Sequence, residues 1–205
     1  MSGGARFAPG EETARWRLAS YDCRSITGIS VMKNKKLDRL CGRKLLLMGS
    51  KAFSARRLPV ALSKKLNEAI ARNMKIIVGE VPGPCRLFQD YLKRKRYSKV
   101  VVGHAKSIRY NAGKWKTNQY GQSVTERERN MIEECDSAII IWQDRSGVIA
   151  ENLEILKRSG KPTFLYEYYT KTQQSKAGWL DPKRIFDPYY NWKEHMRKSK
   201  HGTSG

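Results

Sequence analysis

Acidic residues are scarce in this chain: 19 Asp and Glu stand against 41 Lys and Arg over 205 residues, a formal net charge of +22. That imbalance excludes an acidic protein and points to a polyanionic partner, most often nucleic acid. Long apolar runs are missing too. The longest, Leu45–Met48 and Ala138–Trp142, have the length of strands, far below the roughly 18 residues of a membrane-spanning helix, so no membrane partner is expected. Only three histidines occur, and no two of the four cysteines (Cys23, Cys41, Cys85, Cys135) are spaced C-x-x-C; no metal site is expected. An apolar signal-peptide core is absent, and the cysteines lie in unrelated segments. Both features predict a reducing, intracellular, cytoplasmic home. Met1–Ser20 carries three arginines but also Glu11 and Glu12, unlike an acid-poor transit peptide.

Hydrophobic residues make up 40% of the chain, enough to bury a core. Three segments are distinguished. Residues 1–42 (charge +4) form a basic N-terminal extension whose Gly3, Gly4, Pro9 and Gly10 predict partial disorder. Residues 43–170 (+13) read as the globular domain. Residues 171–205 (+5) form a basic, aromatic C-terminal extension containing Tyr189-Tyr190-Asn191-Trp192-Lys193. The basic excess is therefore spread over the whole chain.

The middle segment alternates two kinds of signal. Short apolar runs predict strands over 44–48, 75–79, 98–102, 137–142 and 162–167. Between them, apolar residues recur at helical spacing over 60–73, 84–94, 123–135 and 148–159. The helix at 123 has two capping-box starts, Ser123-x-x-Glu126 and Thr125-x-x-Glu128. Non-alternating strands are buried on both faces, and helices between them make right-handed crossovers. The expected fold is α/β: a Rossmann-like three-layer sandwich with a mainly parallel sheet of about five strands.

In such a fold ligands bind at the carboxyl ends of the strands, where the strand order switches. The residues there are Gly49-Ser50-Lys51, the loop Gly79–Cys85, and Gln143-Asp144-Arg145-Ser146-Gly147. Two of these loops carry glycines and open helices, whose free N–H groups and positive dipole ends suit phosphate. None reads G-x-G-x-x-G or G-x-x-x-x-G-K-[ST], so a dinucleotide dehydrogenase and a P-loop ATPase are disfavoured and no cofactor is implied. Glu151 opens a helix, where it can bind a ribose hydroxyl or act at an N-glycosidic carbon. Arg127 and Arg129, two apart, cannot share a helix face; one is expected to grip phosphate. Cys85 is either an activated thiol or a packed small residue. Asp136 reads as a turn or cap residue.

Residues 104–122 hold no acid. Their Arg109, Tyr110, Lys114, Trp115, Lys116 and Tyr120 interleave cations with aromatics, a pattern suited to nucleic acid through base stacking and phosphate contact.

Gly49-Ser50-Lys51, the Gly79-x-x-x-Gly83 turn, Arg127-Glu128-Arg129-Asn130-Met131 ahead of Asp136, the run Ser137–Trp142, and Arg145-Ser146-Gly147 followed by Gly160-Lys161-Pro162 occur in the order of the SLOG superfamily. Over about 44–168 the chain resembles this Rossmann-like group, which contains the DNA-processing protein A and the "lonely guy" phosphoribohydrolases. Ser146-Gly147-Val148-Ile149-Ala150-Glu151 also resembles the helix start of nucleoside deoxyribosyltransferases. The chain departs from the group at Lys51, where Arg is common, and at Cys85, where Asp is common. It also lacks the Pro-Gly-Gly-x-Gly-Thr loop of the phosphoribohydrolases. The resemblance implies a nucleotide or nucleotide-derived ligand held by Gly49, Ser50, Lys51, Gly79, Gly83, Arg127, Arg129, Ser146 and Gly147, with Glu151 as the catalytic candidate. Three readings stay open: a nucleotide binder whose basic surface also contacts nucleic acid, a nucleic-acid-binding protein without small-molecule activity, and an N-glycosidic hydrolase or transferase. Homo-oligomerisation is left open.

Overall fold

The computed structural model describes residues 37–145 and 147–184. The expected N-terminal disorder, the aromatic cluster at 189–193 and Ser146 lie outside the described residues.

Apolar runs without alternation give five parallel strands buried on both faces: β1 (Lys44–Gly49), β2 (Lys75–Gly79), β3 (Val100–His104), β5 (Ser137–Gln143) and β6 (Thr163–Tyr169). Two further strands close the sheet. β4 (Lys116–Gln119) pairs parallel to β3, and β7 (Gln174–Trp179) pairs antiparallel to β6. The seven-stranded order is β4-β3-β2-β1-β5-β6-β7. The sheet is thus α/β and mostly parallel, as the pattern predicts, but with an edge strand at each end that the pattern does not show. Both edges read polar, Lys-Thr-Asn-Gln and Gln-Ser-Lys-Ala-Gly-Trp, and are mostly exposed. They are held by backbone pairing, and their lysines suit strands that must not pair with other chains. β7 draws the sheet past residue 170, and Leu180 beyond it is buried.

Four helices cover the sheet: α1 (Val60–Ala71), α2 (Pro84–Arg94), α3 (Val124–Glu134) and α4 (Gly147–Arg158). Alternate residues of each strand feed two cores. Leu45, Leu47, Ile76, Val78 and Ile139 pack with Leu62, Leu66 and Phe88 of α1 and α2. Leu46, Met48, Ile77 and Ile140 pack with Met131, Ile132, Leu153 and Leu156 of α3 and α4. Ser123 caps α3, its Oγ accepting the Glu126 N–H, while Glu126 accepts from the Gln122 N–H. Asp136 is indeed a turn residue: its carboxylate accepts the Arg43 and Lys44 N–H groups, tying the starts of β1 and β5 together.

The chain leaves β1 for one side of the sheet, returns, and enters β5 on the other side. The switch in strand order therefore falls between β1 and β5. At their carboxyl ends the two strands are in close contact. A Cβ on Gly49 would lie 2.6 Å from the Ile141 carbonyl oxygen. Ser50 continues the seam: its N–H donates to Ile141 O, and its Oγ accepts the Gln143 N–H. No helix among the described residues is long and apolar enough to cross a membrane.

Candidate functional site

Three loops meet the carboxyl edge: 49–53 after β1, 79–83 after β2, and, after β5, the turn at 143–145. Gly83 caps α2 with φ +87°, and a Cβ there would lie 2.7 Å from the Lys51 carbonyl oxygen. The first two loops therefore touch, and only glycine fits that contact. Pro84 occupies the first position of α2, no side chain caps the helix, and its first turn holds no acid. Its amino end keeps the positive dipole end that suits an anion, while the Arg86 and Leu87 N–H groups donate to the Gly83 carbonyl. Lys51 is exposed beside it.

Beneath this rim lies a buried polar cluster. Arg127, in α3, is only 2% exposed. Its Nη1 donates to Glu80 Oε2 at 2.6 Å, and its Nη2 to Glu128 Oε1 at 3.3 Å. Glu128 Oε2 in turn accepts from Asn152 Nδ2 of α4 at 2.8 Å, and that amide rests on the Met48 sulfur at the end of β1. Gly79 leaves room for the guanidinium: a Cβ there would meet Cys85 Sγ at 3.2 Å and Arg127 Cζ at 3.9 Å. One cation is thus shared by two carboxylates, and an amide fixes the second of them. Glu80 and Arg127 side chains are each 2% exposed, against 15% for Glu128. Glu128 is the member of the cluster that a ligand can reach.

Two buried side-chain nitrogens lack a partner among the described residues, Arg127 Nε and His104 Nδ1. His104 ends β3, beside the end of β2, where Gly103 pairs with Gly79. Both orphans therefore belong to the carboxyl-edge side of the sheet. Buried polar groups are rarely left unpaired; Arg127 reaches the edge from α3, whereas His104, in strand register with Val100 and Val102, lies on the face covered by α1 and α2.

The turn after β5 is backbone-strained. Asp144 and Arg145 have φ of +49° and +50°, a region costly for residues with a Cβ. The Asp144 carboxylate holds the turn by accepting from Thr170 N–H and Oγ1. Arg145 lies 4.0 Å from Glu167, which Arg184 grips through two hydrogen bonds of 2.9 and 2.7 Å.

The sequence candidates fall into distinct groups. Gly49 and Ser50 form the β1–β5 seam, Gly79 and Gly83 shape the second loop, and Gly147 begins α4. Arg127 is buried with both Nη groups committed to carboxylates, whereas Arg129 and Glu151 are exposed. Asn152, one residue on, faces inward. Burial pushes the Cys85 thiol up to about 12, against the pull of Arg127; the thiol stays protonated and packs as a small apolar group.

The acid-free stretch is not the free loop its composition suggests. Residues 105–115 run beside α2 and then form β4. Trp115 packs against the core, and its Nε1 donates to Tyr97 O at 3.0 Å. Tyr110 bonds Asp90 through its hydroxyl and lies under Arg86, 4.9 Å from its ring centroid. Tyr120 is 7% exposed and donates to Glu134. The three rings are occupied within the fold, while Arg109, Lys114 and Lys116 are exposed.

No cluster of metal-ligating side chains occurs among the described residues. No protein-family model, curated protein or solved structure matches the chain.

Proposed function

We propose that the protein binds a nucleotide or nucleotide-derived ligand at the carboxyl edge of the sheet, across the switch between β1 and β5. The observation that carries this reading is the orphaned buried nitrogen Arg127 Nε, beneath the carboxyl edge beside Gly79 and the amino end of α2. The charges divide the ligand. Glu80, Arg127 and Glu128 sum to one negative charge, which disfavours phosphate against the cluster. Phosphate instead suits the α2 amino end and Lys51. Glu128, oriented by Arg127 and Asn152, suits sugar hydroxyls as an acceptor. Arg127 is then a positioning residue rather than a phosphate ligand. The resemblance to SLOG proteins supports the same ligand class. An oriented carboxylate beside a sugar also suits N-glycosidic chemistry, and Glu128 takes that role more readily than the outward-facing Glu151.

A ligand bound at 100 times its Kd stabilises by about 2.7 kcal/mol, a shift of several degrees in Tm for a domain of this size. AMP and ADP-ribose are expected to raise Tm in the wild-type protein. Glu128→Gln, which keeps the shape but weakens the acceptor, is expected to reduce the shift. Orthophosphate alone should then shift both proteins equally. A wild-type Tm indifferent to both nucleotides overturns the reading. An undiminished shift in Glu128→Gln removes Glu128 from the site.

A second reading, contact with nucleic acid, draws support from the net charge of +22 and is compatible with the first.

A further inference from the structure

Between Asp90 and Glu126 the chain carries nine Lys and Arg and no acid. All nine are exposed, and none makes an ion pair with a described residue. The fold gathers seven of them at one corner. Lys93–Arg96 end α2 and Lys99 precedes β3. Lys114 and Lys116 open β4, whose Lys116 pairs with Val101 near the start of β3. The Trp115–Tyr97 hydrogen bond ties the two groups together. This corner lies at the amino edge of the sheet, away from the candidate ligand site.

The backbone adds an independent observation. Three helices end in the same pair of bonds, from i to i−3 and from i+1 to i−4, around one left-handed residue. After α4 that residue is Gly160 (φ +60°) and after α1 it is Asn73 (φ +58°), the usual occupants. After α2 it is Arg96 (φ +53°), and Lys114, across the corner, has φ +52°. Cations hold two positions that glycine would fill without steric cost. Strained residues of this kind cluster where function retains them.

We propose that this corner, Lys93–Arg96 with Lys99, Lys114 and Lys116, binds the phosphate backbone of nucleic acid without stacking on its bases. The proposal rests on the nucleic-acid reading above and gives it a place and a mode. The corner's aromatics are engaged within the fold: Trp115 and Tyr97, partly buried, pack against the core, and Tyr91 lies under Arg94 and Lys95. Among the described residues the exposed large apolar ones, Val60, Ile108, Val124 and Val148, lie elsewhere in the chain, so the described corner lacks the apolar anchors of a protein interface or a membrane-inserting face. Phosphate contact alone favours the higher charge density of a duplex over a single strand.

The test is fluorescence anisotropy of a labelled 24-base-pair DNA duplex, and of one of its strands, across a series of salt concentrations. Each phosphate contact contributes about 0.9 to the log–log salt slope on duplex. The variant Arg96→Gly/Lys99→Ala/Lys114→Gly/Lys116→Ala is expected to flatten the slope by about 3–4 and to weaken binding about a hundredfold or more at 0.1 M salt. Its Tm should not fall, because two strained positions are relieved. A control with equal charge loss, Lys64, Lys171, Lys176 and Lys183 all to Ala, should stay near wild type in slope. Equal weakening by both variants overturns the assigned corner. A single strand bound tenfold or more tighter than duplex overturns the stacking-free mode. Wild-type binding no tighter than that of an unrelated protein of equal charge overturns the nucleic-acid reading itself.

Discussion

Arg127→Met is expected to cost about 3–5 kcal/mol of stability at pH 7, the range for breaking a buried ion pair from one side. Methionine has a similar reach, so little volume is lost. What is lost is the counter-charge of Glu80, whose side chain is 2% exposed, and the guanidinium donor to Glu128. Glu80, unlike the more exposed Glu128, cannot turn to water without opening the carboxyl edge. Urea unfolding of both proteins at pH 7 measures the deficit. A deficit below about 1 kcal/mol would mean that the cluster does not hold this edge together. The double variant Arg127→Met/Glu80→Met removes both charges and should recover much of the loss.

Trp115→Ala is expected to destabilise by about 2–4 kcal/mol, because a half-buried indole leaves the core and its hydrogen bond to Tyr97 is lost. The same variant separates two uses of an aromatic residue. An indole that stacks on bases contributes about 1–3 kcal/mol to nucleic-acid binding at every salt concentration. An indole packed inside contributes to folding. In the structure the ring anchors the strap beside α2, so DNA affinity and its salt slope should change little at temperatures where the variant is folded. Chemical denaturation together with anisotropy titration checks both halves. A tenfold loss of affinity with unchanged stability would show that the ring faces the ligand.

Much of the architecture was legible because the parallel strands are buried on both faces. Runs such as Leu45–Met48 and Ala138–Trp142 have no other use in a chain this polar, and Gly49, Gly79 and Gly103, at the ends of three of the runs, mark the sheet's carboxyl edge. β4 and β7 were not legible. Edge strands bind through backbone groups, and Lys116-Thr117-Asn118-Gln119 carries no alternation that would distinguish it from a loop. The polar composition of 104–122 concealed that its rings turn inward.

The candidate site was legible in its loops and less so in its side chains. Gly79 and Gly83 lie where strand-end reasoning puts them. The carboxylate is a different matter. Helix spacing sets Asn152 on the same stripe as Ile149, Leu153 and Leu156, whereas Glu151 falls off it. Arg127 likewise occupies the buried stripe of α3 with Met131 and Ile132. A charged residue in an apolar stripe signals a buried partner, and Glu80, directly after β2, is one of several acids beside strand ends. The identity of that partner depends on how α3 crosses the sheet, which short-range periodicity does not encode.

The central claim is that a nucleotide-derived ligand binds at the carboxyl edge of the sheet. Glycine amides offer a direct reading, since they resonate apart from most others in a nitrogen-15 correlation spectrum and are placed at both edges of this sheet. In a titration with AMP, saturable shifts at Gly49, Gly79, Gly83 and Gly147, with Gly160 and Gly178 unmoved, are the expected result. No saturable shift at the first four, or shifts confined to Gly160 and Gly178, would contradict it.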